Sequence, residues 1–239
     1  MSPQMLQAAR NALRASASEA DAVFLQRFFK TGPGAYGEGD RLLGVRVPAT
    51  RRVARSFREL PLADLQTLLH SEFHEERLLA LIILTDQYRR STPETQARIY
   101  TLYLANTRRI NNWDLVDTSA EHIVGAYLLN RSRKPLHGLA RSDSLWERRI
   151  AIMATFHFIK MGEYEETLKI ATRLIQDTED LIHKAVGWML REVGNRDQAT
   201  ERAFLNQYHA QMPRTMLRYA IEKFPEALRQ QYLKGTIPT

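Results

Sequence analysis

Residues 75–106 read EERLLALIILTDQYRRSTPETQARIYTLYLAN, and this stretch decides the fold. Apolar residues recur three and four positions apart on both sides of Thr92-Pro93, which is the spacing of an amphipathic helix. Proline is favoured in the first turn of a helix, so Thr92-Pro93 marks the start of a second helix. The stretch therefore predicts two helices joined by a short turn.

Similar helix pairs recur along the chain every 30 to 45 residues or so, roughly the repeat length of helical solenoids. Further starts are marked by Pro48, Ser144, Asp177-Thr178, Pro213 and Pro225. The predicted helices lie around Leu6–Leu13, at 22–29, 48–58, 62–69, 75–90, 93–106, 113–130, 144–160, 163–176, 179–193, 198–211, 214–223 and 225–233. No segment alternates apolar and polar residues as a strand would. We expect an all-α, HEAT-like repeat solenoid, an α-α superhelix with a concave face, in which residues 1–239 form a single domain.

The composition excludes several classes of protein. Hydrophobic residues make up 44% of the chain and charged residues 26%, which allows a packed core. The longest apolar run, Leu78–Leu84, is too short to cross a bilayer. Residues 1–20 lack the apolar core of a signal peptide, so we expect a cytoplasmic protein without a membrane partner. The absence of cysteine excludes disulfides, thiolate metal sites and cysteine nucleophiles.

The charge suggests an anionic partner. The net charge is +7, and arginine supplies 27 of the 34 basic residues. Because the guanidinium group binds two phosphate oxygens at once, an arginine-rich chain favours a polyanion such as nucleic acid. A basic, solubilising surface is the alternative.

The segment Thr31–Asp40, TGPGAYGEGD, interrupts the helical pattern. Its glycines at 32, 34 and 37 match the G-x-G-x-x-G dinucleotide fingerprint, but no strand precedes them and no βαβ unit surrounds them. The segment therefore predicts an ordered loop between two helices, with glycines in left-handed conformations.

His70 and His74 superficially resemble a pair of metal ligands. Residues 71–73 are predicted to form a turn, so the two imidazoles need not share a face, and no third ligand follows from the spacing. We therefore expect helix-capping or surface histidines and no metal site.

Aromatic and charged residues share helix faces in four segments. Trp113 and Asp117 are four apart, while Asp114 suits the positive end of the same helix. A tryptophan in the repeat core and a solvated aspartate remain the alternative. The other segments contribute the stripe Lys184, Trp188 and Arg191, the pair Arg148 and Arg149, and the pair Arg214 and Arg218. If these helices line the concave face, the stripes form a basic groove.

These residues occur in stretches by which the chain resembles the AlkD-type DNA alkylation repair family, the HEAT-like alkylpurine DNA glycosylases. The stretches are Thr31–Pro48, Asn112–Asp117, Trp146–Ile152, Lys184–Gly194 and Pro213–Phe224, and they occur in family order. By this resemblance the catalytic carboxylate is Asp117, the flanking aromatics are Trp113 and Trp188, and the phosphate-binding arginine is Arg149. The resemblance leaves Arg148 as the alternative to Arg149.

The resemblance implies a monofunctional DNA glycosylase. Such an enzyme hydrolyses the N-glycosidic bond of cationic N3- or N7-alkylated purines, such as 3-methyladenine and 7-methylguanine, in duplex DNA, and so starts base excision repair. It implies no cofactor, no conventional base pocket and no obligate protein partner. We expect a monomer that is nucleoid-associated while on DNA, with phosphate contacts from Arg148, Lys184, Arg191, Arg214 and Arg218.

Two alternatives stay open. A non-catalytic relative would bind damaged or branched DNA without releasing a base. A HEAT-type scaffold would bind an acidic peptide in its groove and would not need an aspartate there.

Overall fold

A computed structural model describes residues 3–237. Within that range the chain is helical and contains no strand; Arg41 and Phe73 form a single isolated bridge. The all-α prediction is confirmed. In residues 3–237 no helix is long and apolar enough to span a membrane. The chain divides into two compact units, unit 1 up to Ile123 and unit 2 from Val124.

Unit 1 is built around one buried helix, α5. Its helices are α1 (Pro3–Arg14), α2 (Glu19–Phe29), α3 (Val47–Ser56), α4 (Leu62–Leu69), α5 (His74–Arg90), α6 (Pro93–Ala105) and α7 (Trp113–Ala120), with a 3-10 turn at Thr107–Arg109. Twelve of the 17 residues of α5 are buried, because α3, α4, α6 and α7 all pack against it. Helix α5 packs against its sequence neighbours α4 and α6, and it also contacts α3 and α7, which is consistent with HEAT-like repeats.

Unit 2 has the same plan around α13. After a π-helical turn at Glu121–Gly125, the helices are α8 (Ala126–Leu128), α9 (Lys134–Leu139), α10 (Leu145–Ala154), α11 (Phe156–Lys160), α12 (Glu165–Leu174), α13 (Asp180–Gly194), α14 (Gln198–Tyr208), α15 (Arg214–Ala220) and α16 (Glu226–Lys234), with a 3-10 turn at Ile221–Lys223. Helices α10, α12, α14 and α15 pack against α13.

The predicted helix starts are largely confirmed. Thr92 and Ser144 are N-cap residues, and Pro213 and Pro225 directly precede their helices. The helix predicted at 179–193 after Asp177-Thr178 is α13, Asp180–Gly194, and its N-cap residue is Glu179. The Asp177 carboxylate accepts a hydrogen bond from the Glu179 amide at 3.0 Å and binds Arg148, so it forms a turn instead of capping the helix.

The first turn of α5 holds four charged or polar residues that are at most 3% exposed: His74, Glu75, Glu76 and Arg77. Burying charges is costly unless each has a partner, and each has one here. Glu76 binds Arg10 and Arg14 of α1 at 3.0 and 2.9 Å, and Glu75 accepts hydrogen bonds from the amides of residues 43–45. This turn therefore fixes both α1 and the loop before α3.

The glycine-rich segment is an ordered loop between α2 and α3, as predicted. Tyr36 donates a hydrogen bond to the Phe28 carbonyl at 2.7 Å, and Asp40 binds Arg77 at 2.6 Å. Gly34 and Gly39 lie in the left-handed region, with φ near 74° and 82°.

Candidate functional site

Asn112 starts the helix that carries the predicted catalytic residues. It adopts an extended conformation, and its Oδ1 accepts a hydrogen bond from the Trp113 amide at 2.9 Å, which begins α7. Trp113 and Asp117 are both half-buried and lie one turn apart. Both line a pocket of about 740 Å³ within unit 1. The structure therefore brings these two predicted residues together.

The walls of this pocket come from four helices and from His122 of the π-helical turn, and they are largely apolar. Helix α2 contributes Phe28 and Phe29, α3 and α5 contribute Val47, Ala54 and Ile82, and α7 contributes Thr118 beside Trp113. The ring of Phe29 stacks on that of Trp113, with centroids 5.6 Å apart and planes at 27°. The buried ring of Phe29 therefore fixes the orientation of the Trp113 ring. The family resemblance implied no conventional base pocket, and the sequence pattern does not reveal this cavity, because residues far apart in sequence form its walls.

A buried network supports the first turn of α7. His74 donates from Nε2 to Asp114 at 2.8 Å and from Nδ1 to Asp40 at 3.2 Å, and its ring also packs on Phe29 at 4.6 Å. Arg77 completes the network by donating to Asp40 at 2.6 Å. The prediction of a helix-capping or surface histidine is wrong for His74, which is 1% exposed, because two carboxylates from distant segments enclose it. It holds for His70, the exposed C-cap residue of α4.

The two carboxylates keep His74 protonated. Burial alone would lower the pKa of His74, but the charge of Asp114 and the hydrogen bonds to Asp114 and Asp40 raise it to about 9. For Asp40, burial opposes ionisation, but the hydrogen bond from His74 and the charges of Arg77 and His74 bring its pKa below the usual value. The network is therefore two carboxylates around an imidazolium and a guanidinium.

Asp117 also acts electrostatically on the neighbouring helix. Tyr103 of α6 is fully buried and its hydroxyl lies 3.0 Å from Ser119 Oγ. Burial, and after it the negative charge of Asp117, raise the pKa of Tyr103. A cation formed in the pocket would experience the same negative charge.

Three arginines, Arg51, Arg55 and Arg89, line the pocket together with its carboxylates. Arg89 is bound to Asp86 at 3.2 Å. Arg51 and Arg55 of α3 are exposed and form no ion pair with any residue that the structure describes. Neither residue was predicted as a site residue from the sequence, although their spacing of four on one helix is a recognisable signal.

Trp188 lies in unit 2, half-buried on α13. Its indole Nε1 donates to Glu192 at 3.2 Å, and its ring lies 6.2 Å from that of Phe156. Arg196 binds the same Glu192 at 2.8 Å. The carboxylate of Glu192 thus fixes the orientation of the Trp188 indole through its Nε1.

The predicted phosphate-binding pair, Arg148 and Arg149, is held by contacts inside unit 2. Arg149 is 5% exposed and donates to the Leu181 carbonyl, which ties α10 to the helix that carries Trp188. Arg148 binds Asp177 at 2.6 Å and donates to the carbonyls of Ser142 and Asp143. Either guanidinium would have to exchange or share these partners to bind a phosphate.

Of the remaining predicted DNA contacts, Lys184, Arg214 and Arg218 are more accessible, whereas Arg191 is as buried as Arg148. Lys184 is half-buried and binds Asp180 at 2.7 Å, and Arg191 binds Glu222. Arg214 is exposed and donates to the Leu233 carbonyl at 2.8 Å, and Arg218 is exposed one turn later on α15. All of these assignments remain predictions.

No group of three or more histidine, aspartate or glutamate side chains within residues 3–237 is arranged to hold a metal ion. His70 contacts Asn106 at 2.7 Å, whereas His74 belongs to the network above. The two imidazoles do not form a pair.

Comparison with known proteins gives a family match and structural matches. The sequence model of a family described as DNA alkylation repair enzyme matches residues 9–224. No curated protein shows significant similarity to the chain. A predicted DNA alkylation repair enzyme from Enterococcus faecalis is similar in structure, with a TM-score of 0.67, 13% identity, and coverage of 88% of this chain and 98% of that one. The smu.31 protein from Streptococcus mutans UA159 gives a TM-score of 0.52 and 14% identity, over 93% and 100% of the two chains. At these identities the likeness concerns the fold.

Proposed function

This chain belongs to the DNA alkylation repair enzyme family, and on that premise we propose that it is an AlkD-type, monofunctional DNA glycosylase. Its substrate would be duplex DNA that carries a cationic N3- or N7-alkylated purine. One observation carries the proposal: Trp113 and Asp117 line the same pocket as Arg51 and Arg55, which form no ion pair within residues 3–237. This combines an aromatic face, a carboxylate and phosphate-binding groups at one place.

Excision of an alkylated purine requires a carboxylate near the sugar more than it requires a general acid for the leaving base. Alkylation at N3 or N7 puts a positive charge on the purine, so the base leaves as a neutral molecule when its bond to C1′ breaks. The bonding electrons leave with the base, and the sugar becomes oxocarbenium-like. Asp117 would stabilise that cation and accept the proton of the water that adds to C1′.

The other predicted residues would hold the substrate. The faces of Trp113 and Trp188 attract a cationic nucleotide, an effect of roughly 0.5 to 2 kcal/mol each. Arg149, with Arg148, Lys184, Arg191, Arg214 and Arg218, would bind phosphates, which positions the protein without reading sequence. The proposal includes neither a cofactor nor a Schiff-base lysine, so the product would be an abasic site in an intact strand.

Selectivity would then follow from the charge and lability of the lesion. We expect release of 3-methyladenine and 7-methylguanine and little action on uracil or 8-oxoguanine, since these neutral bases are poorer leaving groups. We also propose that the protein acts as a monomer on DNA in the cytoplasm, without a protein partner.

Single-turnover release of methylated purines from methylated duplex DNA tests the activity. The wild type is compared with Asp117→Asn and with Asp64→Asn, a carboxylate of α4 outside the pocket. We expect the Asp117 variant to lose on the order of 100-fold or more in rate while it still binds DNA and keeps its thermal stability. The Asp64 variant should match the wild type.

Other outcomes would point to the alternatives. A folded wild type that binds DNA but releases no base would be a non-catalytic DNA binder. Preference for an acidic peptide over duplex DNA would indicate a scaffold. Equal release by wild type and the Asp117 variant would remove that carboxylate from the chemistry.

A further inference from the structure

Two aromatic side chains are exposed on α2. Phe24 and Phe28 are 47% and 54% exposed, and their rings pack edge to face with centroids 5.3 Å apart. Phe28 lines the pocket that contains Asp117, whereas its neighbour Phe29 is buried against Trp113. Two adjacent phenyl rings exposed to water lose the favourable free energy of burial. Exposed apolar side chains that lie together are typical of surfaces that bind a ligand or partner.

Arg51 and Arg55 lie on the same side of the neighbouring helix α3. They are four residues apart, so they are separated by only about 40° around the helix axis. Both are exposed, both line the pocket, and neither forms an ion pair with a residue in 3–237. Other exposed arginines of unit 1, such as Arg27 and Arg52, also form no ion pair within residues 3–237, so Arg51 and Arg55 are distinguished by lining the pocket.

The charge of the pocket margin is therefore positive on its α3 side. Asp86 is bound by Arg89 and Arg90, and Asp114 is bound by the protonated His74. Arg51 and Arg55 form no ion pair within residues 3–237, and they share the pocket margin with the exposed ring of Phe28. Cations next to an accessible aromatic ring are the combination by which proteins hold the phosphates and bases of nucleic acids.

We infer that Phe28, Arg51 and Arg55, here called the α2–α3 surface, form a DNA-contact surface at the margin of the Asp117 pocket. The two arginines bind backbone phosphates, and Phe28 stacks against a nucleotide beside the lesion. The inference rests on the proposed function for its choice of ligand, and it adds residues that neither the sequence pattern nor the family resemblance assigned.

Fluorescence anisotropy with a short unmodified duplex, measured from about 50 to 200 mM salt, tests the arginines. The variants are Arg51→Ala, Arg55→Ala and the double variant. The matched control is Arg52→Ala, an exposed arginine of the same helix that does not line the pocket. Each pocket arginine should lower the affinity by about 10-fold and reduce the salt slope by about 0.9. The Arg52 control should change neither the affinity at fixed salt by more than about twofold nor the salt slope.

Phe28 is tested separately because stacking is independent of counterion release. Phe28→Ala should weaken binding by about 5-fold or more without changing the salt slope, and Phe28→Tyr should retain binding. Val23→Ala, which alters an exposed apolar side chain of α2 outside the pocket, is the control, because Phe24 packs on Phe28 itself. All five positions are exposed, so thermal unfolding should be unchanged in every variant.

The outcomes separate this inference from the proposed activity. If the double variant has the affinity and salt slope of Arg52→Ala, the inference is wrong even if methylated purines are released. If wild type releases no base but binds DNA with a slope that depends on Arg51 and Arg55, the inference holds and the glycosylase proposal fails. Binding of polyglutamate in place of duplex DNA would overturn the inference.

Discussion

His74 Nε2 lies 2.8 Å from Asp114 Oδ2, and this hydrogen bond joins the first turn of α5 to the first turn of α7. Asp114 directly follows Trp113, whose ring is in turn stacked on Phe29. His74 packs on Phe29 as well, so one buried imidazolium supports Trp113 through both its backbone and its ring. The orientation of the pocket aromatics therefore depends on a charge that lies behind them.

That charge should make the stability of unit 1 depend on pH. The folded-state pKa of His74 is about 9, above its ordinary 6.5, so its contribution is fully present below pH 6.5 and is lost as pH rises through 9. The loss is on the order of 3 kcal/mol. Urea unfolding at several pH values checks this. The contribution should be absent in His74→Gln, and an identical pH profile for both proteins would contradict it.

A second buried group, Glu201 of α14, should act in the same direction in unit 2. It is 2% exposed, and burial raises its pKa to about 8, although the charge of Arg191 opposes the rise. Because the folded state favours the protonated form, stability is highest below about pH 4.5 and falls as pH rises through 8. Between pH 5 and pH 9, the free energy of unfolding of Glu201→Gln should therefore rise relative to that of the wild type by at least about 1 kcal/mol. A constant difference across that range would exclude this role.

Two glycines of the loop before α3 make a matched test of packing. Gly44 and Gly34 both have φ near +75°, but a Cβ on Gly44 would lie 1.9 Å from the Ser18 carbonyl, whereas one on Gly34 meets nothing within 4 Å. Gly34→Ala should cost about 1 kcal/mol for its backbone conformation, and Gly44→Ala about 3 kcal/mol or more. Chemical denaturation measures both. Equal costs would mean that the loop moves away from α2 without penalty.

Substitutions of Trp113 should give graded rates if its face holds a cationic nucleotide. Trp113→Ala should slow single-turnover base release by about 3- to 30-fold, with Trp113→Phe between it and wild type. Release from DNA that carries the lesion is measured at saturating enzyme, and thermal unfolding of each variant shows whether the stack on Phe29 survives. An alanine variant as fast as the wild type would assign Trp113 to packing alone.

Local patterns were sufficient to predict most of the helices. Residues 62–69 form α4 with the predicted bounds, and α6 starts at Pro93 as expected. Two predicted long helices are interrupted: 113–130 by the π-helical turn, and 144–160 at Thr155 between α10 and α11. Helix α9 was missed. Such breaks depend on tertiary packing, to which apolar periodicity is insensitive.

The site was predictable only where its residues are close in sequence. Trp113 and Asp117 share a face because helical spacing requires it, and the structure puts both in one pocket. His74 could not be recognised, because its partners lie 34 residues before it and 40 residues after it. The ion pairs that Arg148 and Arg191 form could not be predicted either, since their partners, Asp177 and Glu222, are distant in sequence.

The carboxylate of Glu75 accepts hydrogen bonds from three consecutive amides, at residues 43–45, just after the glycine-rich segment. These bonds restrict the movement of the loop between α2 and α3. Glycine-rich stretches usually act as flexible spacers and are cut readily by proteases. Here the buried first turn of α5 binds the backbone at residues 43–45. His74 and Arg77 of the same turn also bind the carboxylate of Asp40. The loop between α2 and α3 is therefore held to α5 at Asp40 and at residues 43–45, and trypsin should cleave slowly after Arg41 until α5 itself unfolds.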